Sequence, residues 1–208
     1  AFEELGAFLK EEYLPACRET LGITELAPDG DPDYGKEFYA YAIREHTTLT
    51  LTADEIHDLG LREVERIKGE MLMVIAASDY AGKNNAEGGE LLRAFCDHLR
   101  TDPRFYYTSE EELLNGYRLI CKLIDPELPR LFGRLPRLTY GVRQIPPIFG
   151  PASPTAYYYN GSLKTGVPGY FMANTYALDQ RPKFDMIALT LHEAVPGHHL
   201  QIALAQEL

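Results

Sequence analysis

Met186-Ile-Ala-Leu-Thr-Leu-His192-Glu193-Ala-Val-Pro196-Gly197-His198-His199 is the stretch on which the reading of this 208-residue chain turns. An apolar run with helical character delivers titratable side chains, a proline, a glycine and two further histidines. A His-Glu pair on a helix is by itself an ordinary solvated or salt-bridged pair. In the His-Glu-x-x-His arrangement, by contrast, two imidazoles one helical turn apart share a Zn²⁺ while the Glu takes a proton from water. Here residue 196, where the second His of that pattern would stand, is Pro. Six residues of ideal helix turn through about 600°, leaving His198 about 120° off the face of His192, and seven bring His199 onto that face but about 10 Å along the axis. Neither shares a metal with His192 unless the helix is interrupted.

Pro196-Gly197 supplies the interruption. The proline ring clashes with the carbonyl of residue 192 and has no N–H, and glycine tolerates a bulged backbone. Placed inside an apolar helix, the pair costs on the order of 3 kcal/mol or more, which a purely structural helix has little reason to carry. A two-residue expansion makes His198 the partner of His192; a three-residue expansion selects His199. Glu193 then falls to the water rather than to the metal.

Upstream of this helix the texture is β-prone. Leu138–Arg143, Ala156-Tyr-Tyr-Tyr159 and Tyr170–Tyr176 are separated by Gly and Pro clusters, and the turn signals Asn160-Gly161 and Pro168-Gly169 predict an antiparallel pair within 156–176. The Gly-Ser-Leu-Lys-Thr-Gly-Val-Pro-Gly loop between them suits a lid. Earlier still, apolar residues recur at three- and four-residue steps: Phe2 to Tyr13, then Phe38 to Ile43 after a Pro/Asp/Gly-rich loop over 28–35. Thr52-Ala-Asp-Glu55 and Ser109-Glu-Glu-Glu112 are capping boxes, predicting a long helix from 53 towards Ala77 and another through Ile124. Leu91, Leu92, Phe95 and Leu99 mark a helix ended by Asp102-Pro103. The chain therefore divides into a helical region, 1–136, and a β-hairpin region with the metal-binding helix, 137–208, together forming one catalytic unit.

Composition narrows the partners. With 20 Lys+Arg against 31 Asp+Glu the net charge is −11, and without a basic run nucleic acid is excluded as a partner. Although 45% of residues are hydrophobic, no stretch approaches the ~20 apolar residues of a membrane span. The first ten residues carry no basic-then-apolar leader, which leaves the compartment open between cytoplasm and export. Cys17, Cys96 and Cys121, odd in number and outside any C-x-x-C pair, read as buried or free thiols. His46, His57 and His98 read as structural or surface residues.

His192–Gln201, Ala156–Ser162, Pro168–Asn174 and Leu51–Ile67 together resemble the family called domain of unknown function 885, bacterial proteins similar to zincin metallopeptidases. The resemblance implies a mainly helical, zincin-like α+β fold with a small antiparallel sheet beside the metal-binding helix, and a zinc-dependent hydrolase acting on peptides. It makes His192 and one of His198 or His199 the ligands of Zn²⁺, and Glu193 the general base. The Gly-His pair preceding the second ligand in ordinary zincins favours His198 over His199, which would then donate a hydrogen bond from outside the ligand set. Similar proteins carry a Glu-bearing helix further downstream, so the third ligand is expected from a following segment or another chain. Glu207 is a poor substitute, about 13 Å along the same helix from His198.

Zinc peptidases hold substrate as an added strand beside the metal helix, so Ala156–Tyr159 or Tyr170–Asn174 is expected to present an edge. Tyr158, Tyr170, Asn174 and Arg143 are the candidate substrate contacts, although a strand with alternating buried rings explains Tyr157–Tyr159 equally well. Two other readings stand beside the peptidase: a metal-dependent hydrolase of a non-peptide amide or ester, and a non-catalytic binding domain stabilised by zinc.

Overall fold

A computed structural model describes residues 2–17, 22–25, 27 and 30–208. It is mainly helical α+β, and the chain divides into two compact units, 1–77 and 78–208. The helices of 78–136, grouped by sequence pattern with the N-terminal ones, belong with the sheet and the histidine helix instead.

The first unit contains α1 (Phe2–Phe8), a π-helical stretch Leu9–Tyr13, α2 (Leu14–Ala16), α3 (Tyr34–Thr47) and α4 (Ala53–Ala77). The loop expected over 28–35 falls partly outside the described residues, and α3 begins at Tyr34. At the start of α4 the Thr52 hydroxyl accepts from the Glu55 N–H (3.2 Å) and Glu55 Oε2 accepts from the Thr52 N–H (2.8 Å), the reciprocal capping that the sequence predicts.

The second unit runs through α5 (Gly88–Thr101), α6 (Glu110–Ile124), α7 (Leu128–Leu131), β1 (Tyr140–Gln144), β2 (Ala156–Tyr159), β3 (Gly169–Ala173), α8 (Met186–Glu193) and α9 (His198–Ala205). Ser109 caps α6, its hydroxyl accepting from the Glu112 N–H at 3.2 Å. The three strands lie in the order β1-β3-β2. β2 pairs antiparallel with β3, as expected, Tyr158 standing opposite Phe171. The expected antiparallel sheet is nevertheless mixed, because β1 pairs parallel with β3 from Tyr140↔Gly169 to Gln144↔Ala173. The chain after β1 crosses over, forms the outer strand β2, and only then returns between the two.

The two-residue period of β3 decides which side is inside: Gly169, Phe171 and Ala173 are buried, and Tyr170 and Met172 only half so. Phe171 meets Tyr117 of α6 edge-on at 4.8 Å, and Leu113, Leu114, Cys121, Met186 and Ala194 close the core around them. Full burial of a residue such as Phe171 contributes about 1.5–3 kcal/mol. A smaller cluster of Leu128, Val195 and Leu200 seats the chain on either side of Pro196-Gly197. Cys17, Cys96 and Cys121 are all free thiols. Among the described residues no helix is long and apolar enough to cross a membrane.

Candidate metal centre

The interruption falls where the sequence places it. α8 ends at Glu193; Ala194 (φ −96°, ψ −104°) and Gly197 (φ −75°, ψ −131°) leave the helical region, the Val195–Pro196 peptide is cis, and α9 starts at His198. The Ala194 carbonyl accepts from the His199 N–H at 3.0 Å, bridging the break. Gly197 is required by a close approach: a Cβ there would lie 1.8 Å from the carbonyl oxygen of His192 and 2.5 Å from that of Leu191.

The break brings the imidazoles of His192 and His198 together, their ring centres 4.8 Å apart and their planes nearly perpendicular, at 87°. Two imidazoles on one tetrahedral ion, each nitrogen about 2.0–2.1 Å from it, hold their ring centres about 5 Å apart, so this pair fits a shared Zn²⁺. Both rings face an open groove of about 500 Å³ lined by Leu191, His192, Pro196, Gly197, His198 and Gln201. Gln201 went unnoticed in the sequence; its signal is its place three residues after His198, on the same face of α9. Among the described residues no cluster of three or more His, Cys, Asp or Glu side chains is placed to hold a metal. His192 and His198 would supply two donors to such an ion.

Glu193 sits on the buried face of α8 with Met186 and Thr190, 6% exposed, and its Oε2 has no hydrogen-bond partner among the described residues. Buried carboxylate oxygens are costly unless satisfied, and a catalytic role is one of the reasons for which such exceptions are kept.

His199 points elsewhere. Adjacent helical residues diverge by about 100°, and where His198 faces the groove, His199 is buried against the sheet, 2% exposed. Its Nε2 lies 3.1 Å from the Leu138 carbonyl and its Nδ1 2.9 Å from the Tyr158 hydroxyl. A carbonyl only accepts, so Nε2 carries the proton and Nδ1 accepts from Tyr158. Burial holds this imidazole below its ordinary pKa and raises that of Tyr158. With both nitrogens engaged, His199 has none to offer a metal, and the hydrogen bond that it donates goes to Leu138, not towards His198.

The other candidates are dispersed. Tyr158 bonds His199 and does not line the groove. Arg143 is exposed on β1 with its guanidinium 3.7 Å over the Tyr170 ring, and neither residue lines the groove. Asn174 is buried; its amide donates to the carbonyls of Gly150, Ser153 and Pro154, and its Oδ1 accepts from the Tyr176 N–H. The loop suited to a lid is tied down: Ser162 and Val167 bridge, and Gln206, the residue that follows α9, grips the Leu163 N–H and the Gly161 carbonyl. Glu207 accepts from the Arg137 N–H (2.6 Å) and from Arg134 (3.0 Å), contacts that hold its carboxyl below the usual range. A larger cavity, about 740 Å³, lies in the first unit by Tyr39, Ile43 and Leu51; its charged lining, Lys36, Arg44 and Asp54, is exposed and contains no His or Cys.

These features define a mainly helical α+β protein whose second unit contains a broken helix with paired imidazoles facing a groove and a buried glutamate next to the first of them in the chain. The chain belongs to the family described as bacterial protein of unknown function (DUF885), whose profile matches residues 1–208. It is similar, at 30% identity and a TM-score of 0.76, to the crystal structure described as "the putative lipoprotein from Colwellia psychrerythraea", over 95% of this chain and 32% of that one. The chain thus spans about a third of the length of that relative. No curated protein matches it.

Proposed function

We propose that this chain carries two ligands and the general base of a zinc-dependent, zincin-like peptidase. The observation that carries the reading is the meeting of His192 and His198 across the Pro196-Gly197 break, at a separation suited to one ion, with Glu193 next to His192 in the chain and its Oε2 without a hydrogen-bond partner among the described residues. When bound, Zn²⁺ would acidify a water and polarise an amide carbonyl. Glu193 accepts the proton as the water oxygen bonds to the carbonyl carbon, and returns it to the amide nitrogen as the C–N bond breaks. The groove beside His192 and His198 admits the substrate, with Gln201 as a hydrogen-bonding wall.

A peptide substrate is favoured over other amides because β2 is a sheet edge and packs against α8. An extended peptide added to that edge gains main-chain hydrogen bonds alongside the histidines. A catalytic zinc generally takes three protein ligands, so the third comes from a further segment of a longer polypeptide or from another chain. Glu207, engaged by Arg134 and Arg137, is unsuited to the task.

The test is the zinc content of the full-length polypeptide with His192, His198 or His199 changed to Ala in turn. The proposal requires that the first two changes abolish stoichiometric binding and that His199→Ala weaken it without abolishing it. Zinc retained in His198→Ala and lost in His199→Ala would assign the second ligand to the wrong histidine.

A further inference from the structure

The Pro196-Gly197 break creates a mechanical problem. α8 and α9 are separate rods joined by residues 194–197, and the backbone hydrogen bond from the His199 N–H to the Ala194 carbonyl reaches that linker rather than α8, so the rotation of α9 about its axis depends on side-chain contacts as well. Side-chain ends lie about 5–6 Å from a helix axis, so a rotation of about 10° moves them by about 1 Å. Displacements of that size cost about 10²-fold at a reactive centre. The far end of α9 is held by Gln206 and Glu207, and Leu200 contributes apolar burial, which is non-directional.

We infer that His199, held between the Tyr158 hydroxyl and the Leu138 carbonyl, is a positioning residue that sets the rotation of α9 and so aims His198 into the groove. The inference rests on the reading of His192 and His198 as ligands. Two hydrogen bonds to separate segments, one on β2 and one just before β1, fix a direction that apolar packing leaves free. The rings of Tyr140 and Tyr158 flank the imidazole at 4.7 and 5.7 Å and close it from water. The sheet makes room for the arrangement: a Cβ on Gly169 would stand 1.8 Å from the Tyr158 hydroxyl oxygen. Gly169 therefore lets Tyr158 cross β3 and reach His199.

The experiment uses the full-length polypeptide and two probe metals: Co²⁺ for its ligand-field spectrum, and Zn²⁺ for affinity by chelator competition. Tyr158→Phe removes one hydroxyl, Gly169→Ala displaces that hydroxyl without removing it, and His199→Phe keeps a ring without hydrogen bonds. Each is expected to weaken zinc binding by about 10–100-fold, the usual effect of losing a partner outside the ligand set, and to alter the Co²⁺ spectrum. His199→Gln, whose amide can still donate to Leu138, recovers part of both. Leu113→Ala, a core change away from these hydrogen bonds, lowers thermal stability while leaving spectrum and affinity unchanged. A folded Tyr158→Phe protein with wild-type affinity and spectrum overturns the positioning role alone. A wild-type protein that takes up neither metal overturns the ligand reading and this inference with it.

Discussion

Replacing Gly197 with Ala is the smallest change that reaches the core of this account. The added Cβ would lie 1.8 Å from the His192 carbonyl oxygen and 2.4 Å from its carbonyl carbon, where real contacts stay beyond 3.0 Å. Both atoms are backbone, so no side chain can turn away to relieve the clash. The break must open by about 1 Å between the two histidines, several times the ±0.2 Å or so within which metal–ligand distances hold. Overpacking of this kind costs about 1–3 kcal/mol, and zinc affinity in the full-length polypeptide should fall by more than the ~10–100-fold expected of an outer partner. Gly60→Ala and Gly69→Ala are the controls: both glycines lie within α4 with nothing near the added carbon, so each should leave zinc binding alone and stabilise by about 0.4–1 kcal/mol. Denaturant unfolding and chelator competition read the two effects separately. Wild-type zinc affinity in Gly197→Ala would refute the argument that this glycine sets the distance between the imidazoles.

Four further outcomes follow from particular contacts. Glu193→Gln should retain zinc, while hydrolysis of any cleaved peptide drops by at least ~10²–10⁴-fold; turnover within a factor of a few of wild type removes Glu193 from the mechanism. Ser109→Ala should cost about 1 kcal/mol by loss of the α6 cap. Hydrogen bonds from Thr108 hold the Glu112 carboxyl below its ordinary value, so its stabilising contribution is present above about pH 4.5 and lost as the pH falls through the lowered value; Thr108→Val should therefore flatten the acid limb of the stability profile, and an unchanged limb counts against this. Gln206→Ala should speed hydrogen exchange at the Leu163 amide, which it otherwise holds, and unchanged protection would show that the 161–167 loop is tied by other means.

Local signals carried far into this fold. The capping residues Thr52 and Ser109, the Asp102-Pro103 stop and the Pro196-Gly197 break each act within a few residues, and each stands where the pattern places it. The entry of β1 parallel to β3 was not legible, because its partner lies across a crossover containing a whole strand, and turn signals report only on neighbours. The same holds within the site. A two-residue and a three-residue expansion look alike in the sequence; what separates His198 from His199 is burial, and His199 finds its partners 41 and 61 residues away. Tyr158 has the strand propensity of its two neighbours, and the bare Cα of Gly169 on the adjoining strand lets it reach that histidine. Glu207 could be set aside by helical rise alone, but its engagement by Arg134 and Arg137 depends on a segment about 70 residues earlier.

The most direct measurement is anomalous diffraction at the zinc edge from crystals of the full-length polypeptide grown with equimolar zinc. The account predicts one strong peak between the rings of His192 and His198, with a nitrogen of each about 2.0–2.1 Å away and His199 still bound to Tyr158 and Leu138. A peak on His199, or none near His192, would contradict it.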